Sequence, residues 1–383
     1  MPPSAKSVAL LIETSNAYTR GMLRGIASYM HENELWKITL PEQERGAGPP
    51  PWLSAWQGDG VIARIENKEL ANILKRKNIP IVDVSAARIL PDVPWVEIDE
   101  MGIGQAAFEH FRERGFERFA FCGEPIYDWS RLRQEGFTHF VEKAGFPLEI
   151  FNDSPRPGQR DSVNQARKRL EAWIQTLPQR TALLACYDVK AQQILEACRH
   201  LGIKVPEQIT LLGVDNDEVL CDLSTPPLSS VIPAAKRIGF EAARLLDTMM
   251  NGGEVEELCH LIGPLGVETR QSTDILAVKD EDVANALRFI RDHHCDGINV
   301  EDVLKVVPLS RRTLESRFRA CVGRTMYQEI IRSRIDRICQ LLRSSDLPMR
   351  EIALRTGFQT EEYMNVAFRR AKGMPPGKFR KQR

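Results

Sequence analysis

Two groups of side chains in this 383-residue chain have types and spacings that could do chemistry. The first follows short apolar runs. Glu13, Ser15, Asn16 and Tyr18 come after Val8–Ile12, Trp129 and Arg133 come after Phe119–Cys122, and Asp188 and Asp215 come after Ala182–Ala185 and Ile209–Val214. Carboxylates, an amide and a guanidinium offer hydrogen bonds to hydroxyl groups, and an indole offers a flat apolar platform, which together suit a polyol-like ligand. Asp188 could instead cap a helix, and Trp129 could belong to the core. The second group lies near the C-terminus: Ser310, Arg311, Arg312, Thr313, Glu315 and Ser316, then Thr360, Glu361, Glu362 and Asn365, followed by Arg369 and Arg370. Arg pairs with guanine through two hydrogen bonds, Asn suits adenine, Glu accepts from cytosine, and Ser and Thr are less selective. Arg369, Arg370, Lys372, Lys378 and Arg380 suit phosphates, which fix position without reading sequence. Glu361 and Glu362 could equally serve only to favour a helix N-terminus.

Enzyme chemistry finds little support. The sequence contains no G-x-S-x-G, no Walker loop and no metal dyad, and Gly102-Ile-Gly104 is too short for a dinucleotide loop. The eight cysteines form no C-x-x-C pair and sit at no zinc-ligand spacing. His293-His294-Cys295 is the one tempting cluster, but adjacent helical residues point in different directions and cannot readily share an ion. Neither a metal nor a cofactor is expected. No apolar run approaches the roughly 18 residues of a membrane span, and the N-terminal run is too short for an export signal, so a cytoplasmic protein is expected.

The net charge of zero is a sum of unlike parts. Residues 283–383 hold 21 Lys and Arg against 11 Asp and Glu, while the remainder holds 31 against 41. A basic module on an acidic body points to a polyanion partner for the basic part.

The elements that must position these residues follow from periodicity. Val8–Ile12, Val61–Ile65, Ile79–Val84, Phe119–Cys122, Ala182–Ala185 and Ile209–Val214 read as strands, with amphipathic stretches Gly21–Met30, Asp188–Leu201 and Lys236–Met250 between them. That alternation predicts an α/β fold with parallel sheets over residues 1–275. Residues 276–282 read as a linker, and from Val283 onward all patterns are helical.

Within 283–383 the helical signals come in two copies. In the first, Val300, Val303, Leu304 and Val307 share a face, Pro308 stops that helix, Ser310 caps the next, Leu314 and Phe318 face inward, and Gly323 ends it. In the second, Pro348 begins a helix, Gly357 makes the turn, Phe358 plugs the core, and Thr360 caps a helix that buries Tyr363, Met364, Ala367 and Phe368. Helix, tight turn and capped helix make the helix-turn-helix plan. Between the copies Thr325–Ser344 reads as one helix, about 30 Å long at roughly 1.5 Å per residue, near the 34 Å between successive major grooves.

The run Met349–Phe358, with Thr360, Tyr363, Phe368-Arg-Arg370, Gly373, Pro375-Pro376 and Phe379-Arg380, resembles the signature of AraC/XylS regulators, and Ser310, Leu314, Arg317, Phe318 and Gly323 resemble that family's weaker first motif. The resemblance implies that both recognition helices contact double-stranded DNA. It departs at Met364-Asn365-Val366, where the family usually has an aromatic, one residue and an Arg, so it implies no target sequence.

Upstream, Asp99, Gly104, Ala107, Gly115–Phe119, Arg133–Phe137, Tyr187-Asp188, Leu212–Asn216 and Pro227–Val231 resemble the periplasmic-binding-protein-like effector domain of LacI/GalR regulators. That resemblance implies two α/β lobes with a sugar in the cleft, beyond the carboxyl ends of the strands. A LacI/GalR-like sensor followed by an AraC-like tail is similar to the arrangement in pentose-responsive regulators. It implies D-xylose as effector, a homodimer, and RNA polymerase as a partner if the chain activates. Activation on sugar binding is the leading expectation, with repression, another sugar or a transport-type sugar-binding protein as alternatives.

Overall fold

Runs of aliphatic and β-branched residues become strands here because both faces of each sheet are covered by helices. The structure, a computed structural model, describes residues 5–33, 35–42, 48–152, 163–275, 278, 280–345 and 347–380. Three linker positions, 276, 277 and 279, therefore lie outside the described residues. The chain divides into two compact units, Met1–Ile275 and Leu276–Arg383.

The first unit contains β1 (Ser7–Leu11), β2 (Lys37–Thr39), β3 (Gly60–Ala63), β4 (Ile81–Asp83), β5 (Trp95–Ile98), β6 (Phe119–Gly123), β7 (Leu148–Asn152), β8 (Thr181–Ala185), β9 (Ile209–Val214), β10 (Ser229–Ile232), β11 (Cys259–Ile262) and β12 (Gly266–Glu268). They form two six-stranded sheets, ordered β11-β5-β4-β3-β1-β2 and β12-β10-β9-β8-β6-β7. Neighbours run parallel except β10 and β12. The helices are α1 (Ala17–Glu32), α2 (Lys68–Lys75), α3 (Glu100–Glu113), α4 (Asp128–Lys143), α5 (Val163–Thr176), α6 (Asp188–His200), α7 (Glu218–Leu223) and α8 (Ala235–Met250).

The chain passes from the first sheet's lobe to the second after β5, returns after β10 as α8 packs on α1, and crosses again between β11 and β12. Residues at these crossings therefore belong to both lobes' margins. The α1–α8 contact is backbone on backbone. A Cβ on Gly25 would meet the Lys236 carbonyl oxygen at 2.0 Å, and one on Gly239 would meet the Met22 carbonyl oxygen at 1.9 Å. Only glycine permits that approach.

The second unit is all helix among its described residues: α9 (Glu281–His293), α10 (Val300–Leu304), α11 (Arg311–Val322), α12 (Met326–Ser344), α13 (Met349–Arg355), α14 (Glu361–Lys372) and α15 (Pro376–Arg380), with a short 3₁₀ turn at His294–Asp296. It has two cores. One gathers Val303, Leu314, Phe318 and Ile330, and the other gathers Ile338, Ile352, Met364 and Phe368. The long helix α12 contributes to both. Tyr363, expected in the core, is instead exposed. Its ring edge rests on Phe358, and its hydroxyl meets that of Tyr327 at 2.5 Å. A phenol keeps its polar tip in water or on a partner, so this position of the helix turns outward.

Candidate ligand cleft and nucleic-acid interface

A narrow cavity lies between the lobes of the first unit, lined by Glu13, Asn16, Tyr18, Arg64, Glu97, Ile98, Glu100, Trp129, Arg133 and Asp215. It shares Glu13, Arg64 and Trp129 with a wider, open chamber. Asn16 is held by its role as α1 N-cap, its side-chain oxygen accepting from the Thr19 amide at 2.8 Å while its amide nitrogen donates to Glu13. The Tyr18 hydroxyl donates to Glu97 Oε1 at 2.9 Å, and the Ile98 amide donates to the same oxygen at 3.2 Å. Glu97 is 3 % exposed, and its Oε2 is buried with no partner. Arg64 donates to Glu66 Oε1 at 2.5 Å, and its Nε is likewise buried and unpartnered. Buried polar atoms are nearly always satisfied, so two orphans on residues that line one cavity mark side chains with hydrogen bonds left to offer a ligand.

Arg133 grips Glu100 through two bonds, Nε to Oε2 at 2.7 Å and Nη2 to Oε1 at 2.8 Å, and also donates to the Cys186 carbonyl oxygen. Burial works against its cation, but Glu100 more than offsets that and raises the pKa above the ordinary guanidinium range. Burial pushes Glu97 up to about 7, against the pull of Arg64, and raises Glu100 against the pull of Arg133. Burial and the neighbouring Glu97 raise Tyr18, which stays a neutral donor. Trp129 stacks on Tyr127 with centroids 5.3 Å apart and meets Tyr187 edge-on, so its ring is braced as a flat wall.

In the second unit Ser310 Oγ accepts from the Thr313 amide at 3.3 Å, and Thr360 Oγ1 accepts from the Tyr363 amide at 3.2 Å. Gly323 at φ 74° and Gly373 at φ 72° close the two helices. On α11, Arg311, Arg312, Glu315 and Ser316 are exposed and Thr313 is half-buried. On α14, Glu362, Arg369 and Arg370 are exposed, while Glu361 and Asn365 are half-buried. Arg311 is already engaged by Glu315 and Glu301, whereas Arg312 has no side-chain partner among the described residues.

A XylR N-terminal domain model matches residues 7–101, a periplasmic binding protein-like domain model matches 108–273, and a helix-turn-helix domain model matches 303–382. The xylose operon regulatory protein of Escherichia coli strain K12 is 33% identical over 381 positions, covering 97% of this chain and 96% of its own length. This chain belongs to the xylose operon regulatory protein family. The Haemophilus influenzae member is 30% identical, with 97% of each chain covered. A solved structure described as the xylose-binding transcription activator xylR superposes with a TM-score of 0.76 at 31% identity, covering 100% of this chain. The chain is thus a sugar-responsive transcription regulator with a two-lobed α/β unit and a helix-turn-helix unit.

The structure of this xylose operon regulatory family member brings Glu13, Asn16, Tyr18, Trp129, Arg133 and Asp215 to one cavity and leaves two expected residues out. Ser15 is exposed and lines neither chamber. Asp188, expected in the cleft, is instead 1 % exposed and accepts from Ser230 Oγ at 2.7 Å and the Asp217 amide at 2.8 Å. Its carboxylate turns under the sheet because Gly213 leaves room there; a Cβ on Gly213 would meet it at 2.1 Å. Burial first, and Asp215 second, raise its pKa to about 8. Trp129 and Arg133 lie within the first turns of α4. Arg64, Glu97 and Glu100 line the cavity without having been expected there. The acids carried little signal, because an acid inside or just after a short strand, Trp95-Val-Glu-Ile98, reads equally as a residue of a solvated face.

Proposed function

We propose that the chain binds D-xylose in the inter-lobe cavity and, when occupied, activates transcription of pentose-utilisation genes. The observation that carries the reading is the pair of orphaned polar atoms, Glu97 Oε2 and Arg64 Nε, on a cavity walled by Trp129. A pyranose supplies what they lack: hydroxyl hydrogens for the carboxylate, hydroxyl oxygens for the guanidinium, and an apolar ring face for the indole. Asp215, Asn16 and Glu13 complete the hydroxyl partners, and Tyr18 and Arg133 hold Glu97 and Glu100 in place. The choice of D-xylose is supported by the likeness to the xylose operon regulatory proteins of Escherichia coli and Haemophilus influenzae.

In the second unit, Arg311 and Arg312 with Ser310, Thr313 and Ser316 read base edges from α11, Asn365 with Glu361 and Glu362 does so from α14, and Arg369 and Arg370 hold phosphates. Residues 1–275 form the sugar sensor and the helical unit beyond them the DNA reader; the expected linker 276–282 runs into α9, which begins at Glu281, and Val278 packs into the helical core. The protein works in the cytoplasm as a homodimer, engages RNA polymerase at the promoter, and turns over no substrate. Calorimetry with a panel of pentoses and hexoses tests the ligand. Saturable D-xylose binding supports the reading, and binding of a hexose in preference to D-xylose would replace it.

A further inference from the structure

The first residue of α11 is held in a way that its neighbour is not. Arg311 Nε donates to Glu315 Oε1 at 2.9 Å, one helical turn along, and its Nη1 donates to Glu301 Oε1. Glu301 belongs to the preceding helix, α10, and its backbone is fixed by a reciprocal cap. Asn299 Oδ1 accepts from the Glu301 amide at 2.8 Å, and Asp302 Oδ2 accepts from the Asn299 amide at 3.0 Å. The guanidinium is thus gripped from two helices, and Nη2 alone has no partner among the described residues. In water such exposed pairs contribute little to stability. At a DNA surface, where water is excluded, the same contacts strengthen and their geometry matters.

Two carboxylates on one guanidinium cancel its attraction for phosphate while leaving its Nη2 donor free. A neutralised, oriented donor favours a base edge over the backbone. We propose that Glu301 and Glu315 are positioning residues for Arg311 that aim its Nη2 at one guanine and keep it from phosphates. The proposal rests on the reading of α11 as a helix in the major groove. It also assigns unlike roles to adjacent arginines, with Arg311 selecting a base and the unpaired Arg312 free to take a phosphate or a second base.

The test uses the full chain and an operator selected from random duplexes. Arg311→Ala first identifies the base pair at which sequence choice relaxes. Glu301→Gln, Glu315→Gln and the double variant are then titrated against that operator, against a variant changed at that base pair, and against unrelated DNA. The expected result is a loss of about tenfold in discrimination at the position that Arg311→Ala relaxes, as for a misdirected base contact. Tighter binding to unrelated DNA and a steeper salt dependence accompany it, since a phosphate-seeking cation has been released. Thermal unfolding unchanged from wild type shows that the fold is intact. If Arg311→Ala relaxes one position while all three glutamine variants keep full discrimination, the positioning role is wrong and the major-groove reading survives. If Arg311→Ala relaxes no position, both fall.

Discussion

The Tyr18 hydroxyl donates to Glu97 Oε1 at 2.9 Å, and this bond divides the carboxylate into one satisfied oxygen and one buried oxygen with no protein partner. The unpartnered oxygen is the atom from which a hydroxyl-bearing ligand gains most, because the protein alone leaves it dry and unpaired. Glu97→Gln keeps the shape and removes the charge. It should weaken D-xylose binding at least about tenfold, as hydrogen bonds to charged groups are the stronger class. Calorimetry on the full chain checks it, and wild-type affinity would remove Glu97 from the site.

The same residue sets a pH dependence. Glu97 is raised to about 7, chiefly by burial. A sugar hydroxyl donating to Oε2 favours the ionised form, so binding releases a proton. Affinity should therefore rise as pH increases through 7 and level off above it, and Glu97→Gln should flatten that rise. Affinity that falls over the same interval would mean that the protonated acid is the binding form.

Stability should run the opposite way. Asp83 and Asp188 are raised to about 7 and about 8, with burial the first cause of each. The folded state holds these protons where the unfolded chain, with ordinary carboxyls near 3.9, has lost them. Their contribution is fully present below about pH 4 and is lost as pH rises through 7 to 8. Asp188→Asn should lessen that decline in the sensor unit, measured by thermal unfolding across pH.

Arg133 and Glu100 form a buried two-bond ion pair, each about 5 % exposed at the side chain. Arg133→Ala strands the Glu100 carboxylate, and breaking such a pair costs about 3–5 kcal/mol. A lost sugar response in that variant would therefore report unfolding as much as lost contact. Asp215→Asn is the cleaner probe. It keeps a residue type that tolerates positive φ, here 105°, and should weaken D-xylose binding with little change in melting temperature.

Gly357 turns the second helix pair at φ 73°, and a Cβ there would meet the His294 carbonyl oxygen at 2.8 Å and the Gly297 amide nitrogen at 2.9 Å. Gly373 has a similar φ and open space around it. Alanine at Gly373 should cost about 1–2 kcal/mol from the left-handed backbone alone. Alanine at Gly357 should cost more, because the loop at 294–297 must also move. Chemical denaturation of the two variants compares them directly.

Much of this architecture was legible because its signals are local. Val8–Leu11, Phe119–Cys122 and Ile209–Val214 are apolar runs whose burial decides their structure, and Ser310, Thr360, Gly323 and Gly373 punctuate helices by backbone chemistry. Strands β5, β7, β10, β11 and β12 carried weaker signals. They hold acids, serines or a histidine among their apolar residues, and only tertiary neighbours decide which are covered, as Glu97, Ser229 and Ser230 are, and which stay exposed, as Glu149 does. The cleft divided in the same way. Residues just past strand ends were findable from topology, whereas Glu97 lies inside a strand and reads as a surface acid until its burial is seen. Asp188 failed for the converse reason: its place past a strand was right, but its direction was set by Gly213 and Ser230.

The account's central claim is that a sugar in the cleft changes how the helical unit engages DNA. The most direct measurement is the affinity of the full chain for its selected operator, at one fixed salt concentration, with and without saturating D-xylose. A change of about fivefold or more is predicted, within the ordinary range for coupling between two sites, and Glu97→Gln should shift it to at least about tenfold higher D-xylose while retaining sugar-free operator binding. Identical operator affinity at every D-xylose concentration, with no heat of sugar binding, would contradict the account.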